Sequence, residues 1–126
     1  MLGDWREPEG SIIRVERCDT GICLTLASLS PTVPGTKDVH NPDRAQRGRQ
    51  LCGIVMGGQF RMTDTNHAVG GWLYDPKSGS TYHGAISAES NTLKLRGYIG
   101  LSVFGRTETW QRVPTMVAAC SDTGKR

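Results

Sequence analysis

Apolar and polar residues alternate with a period of two along short stretches of this sequence, and a glycine or a turn signal interrupts each stretch before it grows long. This pattern constrains the fold more than any other feature. A period of two buries one face of a strand, and frequent interruption makes the strands short and hairpin-linked. In residues 11–17, Ile13 and Val15 fall on one face, with Arg14 and Glu16 on the other. Asp19-Thr20-Gly21 breaks the run, and residues 22–29 resume it with Ile22, Leu24 and Leu26, which predicts a tight hairpin. Further strands are expected at 51–56, ended or bulged by Gly57-Gly58, and at 68–75, 81–88, 92–99 and 106–113. Asp75-Pro76-Lys77-Ser78-Gly79 is a turn in which Pro76 presets the first corner and Gly79 supplies a positive φ. The chain holds 16 glycines in 126 residues, nearly twice the usual ~7% and without a collagen period. That excess excludes a helical bundle and is assigned to hairpin corners and barrel bends.

Residues 37–50 differ, being irregular and rich in charge. Asn41-Pro42-Asp43 reads as a helix start, with Asn41 as N-cap, Pro42 at the first helical position and an acid at the positive dipole end. A short helix is expected there, stopping near Gly48. About eight short strands with one such helix predict an all-β fold, a sandwich or, preferred because the glycines suit its sharp bends, an up-and-down antiparallel β-barrel over residues 1–113, followed by a weakly ordered tail at 114–126.

Charge and composition exclude some classes. Formal net charge is +3 with 21% charged residues, short of the clustered excess of a nucleic-acid binder. No run approaches the ~18 apolar residues of a spanning helix. Met1-Leu2 leads straight into Gly3-Asp4-Trp5, so an export signal is absent or already removed. Four cysteines favour removal, since small exported domains often rely on disulfides. Cys18 and Cys23 flank the first hairpin turn and are expected to form a cross-strand staple; two reduced thiols are the alternative. The pairing of Cys52 and Cys120 stays open.

Candidate chemistry is sparse. Asp38-x-His40 could contribute metal ligands, but His67 and His83 lie far off in sequence and a capped, solvated loop is the plainer reading, so no metal and no cofactor are expected. Ser102 or Thr109 could be matched with a histidine, but no G-x-S-x-G elbow is present. Gly97, Gly100 and Gly105 precede no helix and do not make a dinucleotide loop. The aromatic residues Trp5, Trp72, Tyr74, Tyr82, Tyr98, Phe104 and Trp110 are spread over nearly every strand and either fill the core or line a cavity.

Several segments together resemble the bacterial domain of unknown function 2147 family. They are Gly3-x-Trp5; Ile13-x-Val15-x-x-Cys18 with Cys23; Asp38-Val39-His40-Asn41-Pro42-Asp43; Arg49-x-Leu51-x-Gly53; and Gly70-Gly71-x-x-Tyr74-Asp75-Pro76-x-x-Gly79-x-x-Tyr82. Gly97-Tyr98 and Gly100-Leu101-Ser102-x-Phe104-Gly105-Arg106-Thr107-x-Thr109-Trp110 complete the match. The resemblance implies an exported protein with a lipocalin-like or calycin-like barrel. In that architecture Gly3, Trp5 and Arg112 would form a closure in which the guanidinium lies across the indole, with Arg106 as the competing arginine. No activity comes with the family.

The resulting expectation is a non-enzymatic, periplasmic or secreted barrel that binds a small hydrophobic or amphipathic ligand. Trp72, Tyr74, Tyr82, Tyr98 and Phe104 would line the site, and Arg96 or Arg106 would orient an acidic head group. The competing expectation is an envelope interaction module that uses the basic 37–50 segment, its protein partner unknown. A third, an enzyme built on Asp38, His40, Asn41 and Asp43, requires those side chains to converge on a cleft.

Overall fold

Eight strands form wherever a run of alternating residues is long enough to bury one face. The computed structural model describes residues 1–19, 21–30, 35–99 and 105–114. The strands are β1 (Gly3–Arg6), β2 (Ile12–Cys18), β3 (Gly21–Ser28), β4 (Val55–Asp64), β5 (His67–Asp75), β6 (Ser80–Glu89), β7 (Thr92–Tyr98) and β8 (Arg106–Arg112). Each pairs antiparallel with its neighbour in sequence, and β1 pairs with β8 to close the barrel. The interior holds Ile13 and Val15 of β2, Ile22, Leu24 and Leu26 of β3, Phe60 of β4, Leu73 of β5, Ile86 of β6, Leu93 of β7 and Trp110 of β8. Burying each of these side chains stabilises the fold by roughly 1.5–3 kcal/mol.

The barrel closes through Trp5 and Arg112, which stand opposite each other across the β1–β8 seam. The Arg112 guanidinium lies 4.2 Å from the Trp5 ring centroid. Gly3 has φ 124°, and a Cβ there would come within 3.3 Å of that guanidinium, so glycine leaves it room. Arg106, at the other end of β8, is exposed and has no part in this contact. Cys18 and Cys23 form a disulfide with Cα atoms 6.0 Å apart. They are diagonal rather than direct partners, since Cys18 faces Gly21 and Cys23 faces Glu16.

Three local expectations are corrected. The strand expected at 51–56 begins instead at Val55 and runs through Gly57-Gly58 to Asp64, because a bulge absorbs the glycines. Gln59 takes φ 61°, and Gly57 and Phe60 consequently both face inward, opposite Leu24 and Ile22. The 37–50 segment holds only a 3₁₀ turn, Arg44–Gln46, capped by Asp43 rather than Asn41. Asn41 instead accepts the Asp43 amide at 2.8 Å, a local turn that competes with helix initiation. Finally, several glycines sit inside strands rather than at corners. Gly71, Gly84 and Gly97 stand side by side across β5, β6 and β7. A Cβ at Gly71 would lie 2.4 Å from the Phe60 ring and one at Gly84 2.8 Å from Leu73. Their missing side chains are the space that Phe60 and Leu73 occupy. Gly70, by contrast, is a true bend, with φ 75° at the β5 bulge. Gly100 and the tail from 115 lie outside the described residues.

Candidate functional site

Alternation along β5, β6 and β7 separates an inner from an outer face. Leu73, Gly84 and Gly97 point inward, so Trp72, His83 and Tyr98, which alternate with them, form a cross-strand row on the outer face. The Trp72 indole leans over β4, where a Cβ at Gly58 would lie 3.1 Å from Nε1. His83 and Tyr98 stack at a tilt, with centroids 5.7 Å apart. Together with Thr81, Tyr82 and Ile99 they line an open recess of about 180 Å³.

Beside this recess the 35–54 segment is pinned to the barrel wall by a buried polar knot. Asp38 is 0% exposed. It accepts hydrogen bonds from the Tyr74 hydroxyl at 2.6 Å, from Asn41 Nδ2 at 2.8 Å and from Arg49 Nε at 2.9 Å. Burial alone would push its pKa up, but these three donors outweigh it and hold the carboxyl below its usual value. Tyr74 moves the other way. Burial, and then the hydrogen bond to Asp38, push its hydroxyl up to about 12. The Arg49 guanidinium also sits 5.8 Å from the Tyr74 ring centroid. At Gly79 the β5–β6 turn presses on the same segment: φ is 75°, and a Cβ would collide with the His40 carbonyl.

The expected site residues are therefore divided. Trp72, Tyr82 and Tyr98 share the recess. Tyr74 is two residues from Trp72 on the same strand face but belongs to the Asp38 knot. Arg96 lies on the outer face of β7, two residues before Tyr98, and Nη1 donates to Thr107 Oγ1 at 3.1 Å. Arg106 stands opposite Gly97, on the alternate face. Phe104 lies outside the described residues. Asn41 holds the loop turn, Pro42 is exposed, and Asp75 accepts the Lys77 amide in the β5–β6 turn, where Pro76 is half-buried. Phe60 and Ile99 are not singled out by the sequence, and His83 is weighed there only as one of three scattered histidines. For Phe60 the signal existed, because Phe60 and Met62 alternate with Gln59 and Arg61 beyond the glycine pair.

Two other chemistries lose support from this geometry. Asp38 and Asn41 are buried and mutually bonded while His40 and Asp43 are exposed, so the four face no common cleft. Among the described residues no group of three or more His, Cys, Asp or Glu could hold a metal. In the basic segment, Arg49 is committed to Asp38, and Arg47 Nε donates to the Asn41 carbonyl at 2.7 Å. Lys37 and Arg44 remain exposed. A second recess, polar and about 330 Å³, lies further along β5–β7 between Asn66, His67, Ser87, Glu89, Thr92 and Lys94.

Compared with family models, residues 3–112 match a family described as an uncharacterized protein conserved in bacteria, DUF2147. No curated protein matches the chain. Among solved structures, the Helicobacter pylori protein HP1028, described as belonging to the lipocalin family, superposes with a TM-score of 0.80. The match covers 89% of this chain and 82% of that one at 22% identity, a likeness of fold.

Proposed function

We propose, for a chain that belongs to the bacterial DUF2147 family and folds as a lipocalin-like barrel, that it is an exported, non-enzymatic protein binding small amphipathic ligands in the recess beside Trp72. The observation that carries this reading is the convergence of Trp72, Tyr82, His83 and Tyr98 on one open, aromatic-walled hollow. The disulfide between Cys18 and Cys23 supports export, because such bonds persist in oxidising compartments.

The reading differs from a lumen-filled lipocalin. Interior positions are taken by Phe60, Leu73, Trp110 and their neighbours, so the ligand is placed on the outer wall instead. A hollow of about 180 Å³ is smaller than the ~300–1,000 Å³ of sites for drug-sized molecules. It exceeds the ~150 Å³ that accommodates a benzene ring. One ring or a short branched tail fits, with the rest of the ligand outside. Arg96 is about 7 Å along β7 from Tyr98, on the same face, and suits an acidic group projecting from the recess.

Fluorescence tests this directly. Trp5 and Trp110 are 0% and 3% exposed whereas Trp72 is half-buried, so Trp72 is the indole that a bound ring would perturb. Titration with aryl and short alkyl carboxylates is expected to give saturable quenching that Trp72→Phe removes. Arg96→Gln should weaken carboxylates but not the matching alcohols. Absence of saturation with every probe, or quenching that persists in Trp72→Phe, would sink the proposal.

A further inference from the structure

The first half of β8 is only half paired. β1 reaches β8 at Arg112 and Gln111 alone, and from Arg106 to Trp110 the strand neighbour among the described residues is β7. Arg106, Thr107, Glu108 and Thr109 are all exposed, although Arg106 and Glu108 share a face with buried Trp110. The β1–β2 turn leaves this edge after Glu7, whose carboxylate still repels that of Glu108. Its Glu9 accepts a hydrogen bond from Lys77 Nζ at 2.6 Å, and Lys77 belongs to the β5–β6 turn, on the opposite side of an eight-strand ring.

Backbone direction identifies the unused groups. The Arg112 amide donates to Asn91 on the β7 side, and the Val113 amide donates to Asp4 on the β1 side. Alternation then turns the N–H and C=O of Thr107 and Thr109 toward the β1 side, where no described strand receives them. An edge of this kind is a template for strand addition.

We propose that this edge pairs with a second copy of the chain, the two β8 strands running antiparallel about a two-fold axis at Thr107. Charge selects the register. Edge-facing residues must oppose one another, so the pairings available place Thr107 against Thr107, Thr109 or Gly105 of the other copy. Thr107 against Thr109 sets Glu108 against Glu108, and Thr107 against Gly105 sets Arg106 against Arg106. Only Thr107 against Thr107 sets Arg106 opposite Glu108, and it does so twice, in the closely spaced non-hydrogen-bonded positions. That register also forms about six ladder hydrogen bonds, from Thr107 and from Thr109 with Gly105. Glu108 Oε1 already accepts the Trp110 indole N–H at 2.6 Å, which orients the carboxylate and leaves its second oxygen for arginine. A self-complementary patch on a two-fold axis is the commonest route to a homodimer.

Sedimentation velocity of the full chain over a concentration series tests the pairing. A reversible monomer–dimer equilibrium is expected. Arg106→Glu should raise the dimer dissociation constant by about tenfold, because two opposite-charge pairs become like-charge pairs. The double swap Arg106→Glu with Glu108→Arg should restore it. Thr107→Pro removes an edge N–H and should abolish dimers. Circular dichroism checks that each variant is folded, which the exposure of all three positions leads us to expect. A monomer at every concentration, a dimer indifferent to Arg106→Glu, or a double swap that fails to recover would each overturn the proposal.

Discussion

The strongest constraints act through single atoms. Gly71 leaves room for the Phe60 ring, and a Cβ there would stand 2.4 Å from it. Gly71→Ala is therefore expected to destabilise the fold by about 1–3 kcal/mol through overpacking. Gly48 meets nothing within 4 Å, and Gly48→Ala should stay within about 0.5 kcal/mol; paired urea denaturation curves decide both. Tyr74→Phe removes a hydrogen bond to a buried carboxylate and should cost about 1.5–3 kcal/mol. The knot also sets a pH window. The Asp38 pKa lies below the ordinary 3.8, so its contribution is complete above that value and disappears as pH falls through the folded pKa. The Tyr74 pKa is raised from 10.0 to about 12, so its contribution is complete below 10 and is lost as pH rises through about 12. Urea midpoints measured against pH should fall at both extremes, and Tyr74→Phe should flatten the alkaline limb. An alkaline limb unchanged by that substitution would show that other groups cause it.

Elements were legible where periodicity was long and uninterrupted. Seven strands were anticipated from alternation, and most boundaries moved by one or two residues. β4 moved furthest, because Gly57-Gly58 reads locally as an end while the bulge at Gln59 carries the ladder through it. The 3₁₀ turn at Arg44–Gln46 replaced a longer helix for a similar reason. Asn41 is drawn into the Asp38 knot, which is anchored by Tyr74 of the barrel, 36 residues further along the chain than Asp38. The β2–β3 hairpin is stapled by a bond that closes a very short loop, and replacing both Cys18 and Cys23 by serine should cost about 2 kcal/mol on the loop-entropy model. A shift in the urea midpoint without a change of slope would support that account. A changed slope would mean that the compactness of one of the states had altered.

At the scale of the whole molecule the weakest seam is β1–β8, with two residue pairs against seven for β6–β7. Amide hydrogen exchange should therefore open the first half of β8 well before β5 and β6, and the proposed dimer should slow exchange at Thr107 and Thr109 specifically. Equal protection around the barrel at low concentration would contradict this. Sequence by itself determined that the chain is built from short antiparallel strands, because a period of two is a property of the extended backbone and needs no knowledge of neighbours. The ends of the barrel were also readable, through the resemblance that matched Gly3, Trp5 and Arg112. Only the tertiary structure decided that the interior is filled, that Tyr74 holds a buried aspartate, and that Trp72, His83 and Tyr98 meet on the outer wall with Tyr82 bordering the same recess. The bulges at Gln59 and Gly70 reverse the alternation within β4 and β5, so which face a residue reaches depends on the strand beside it rather than on its place in the pattern.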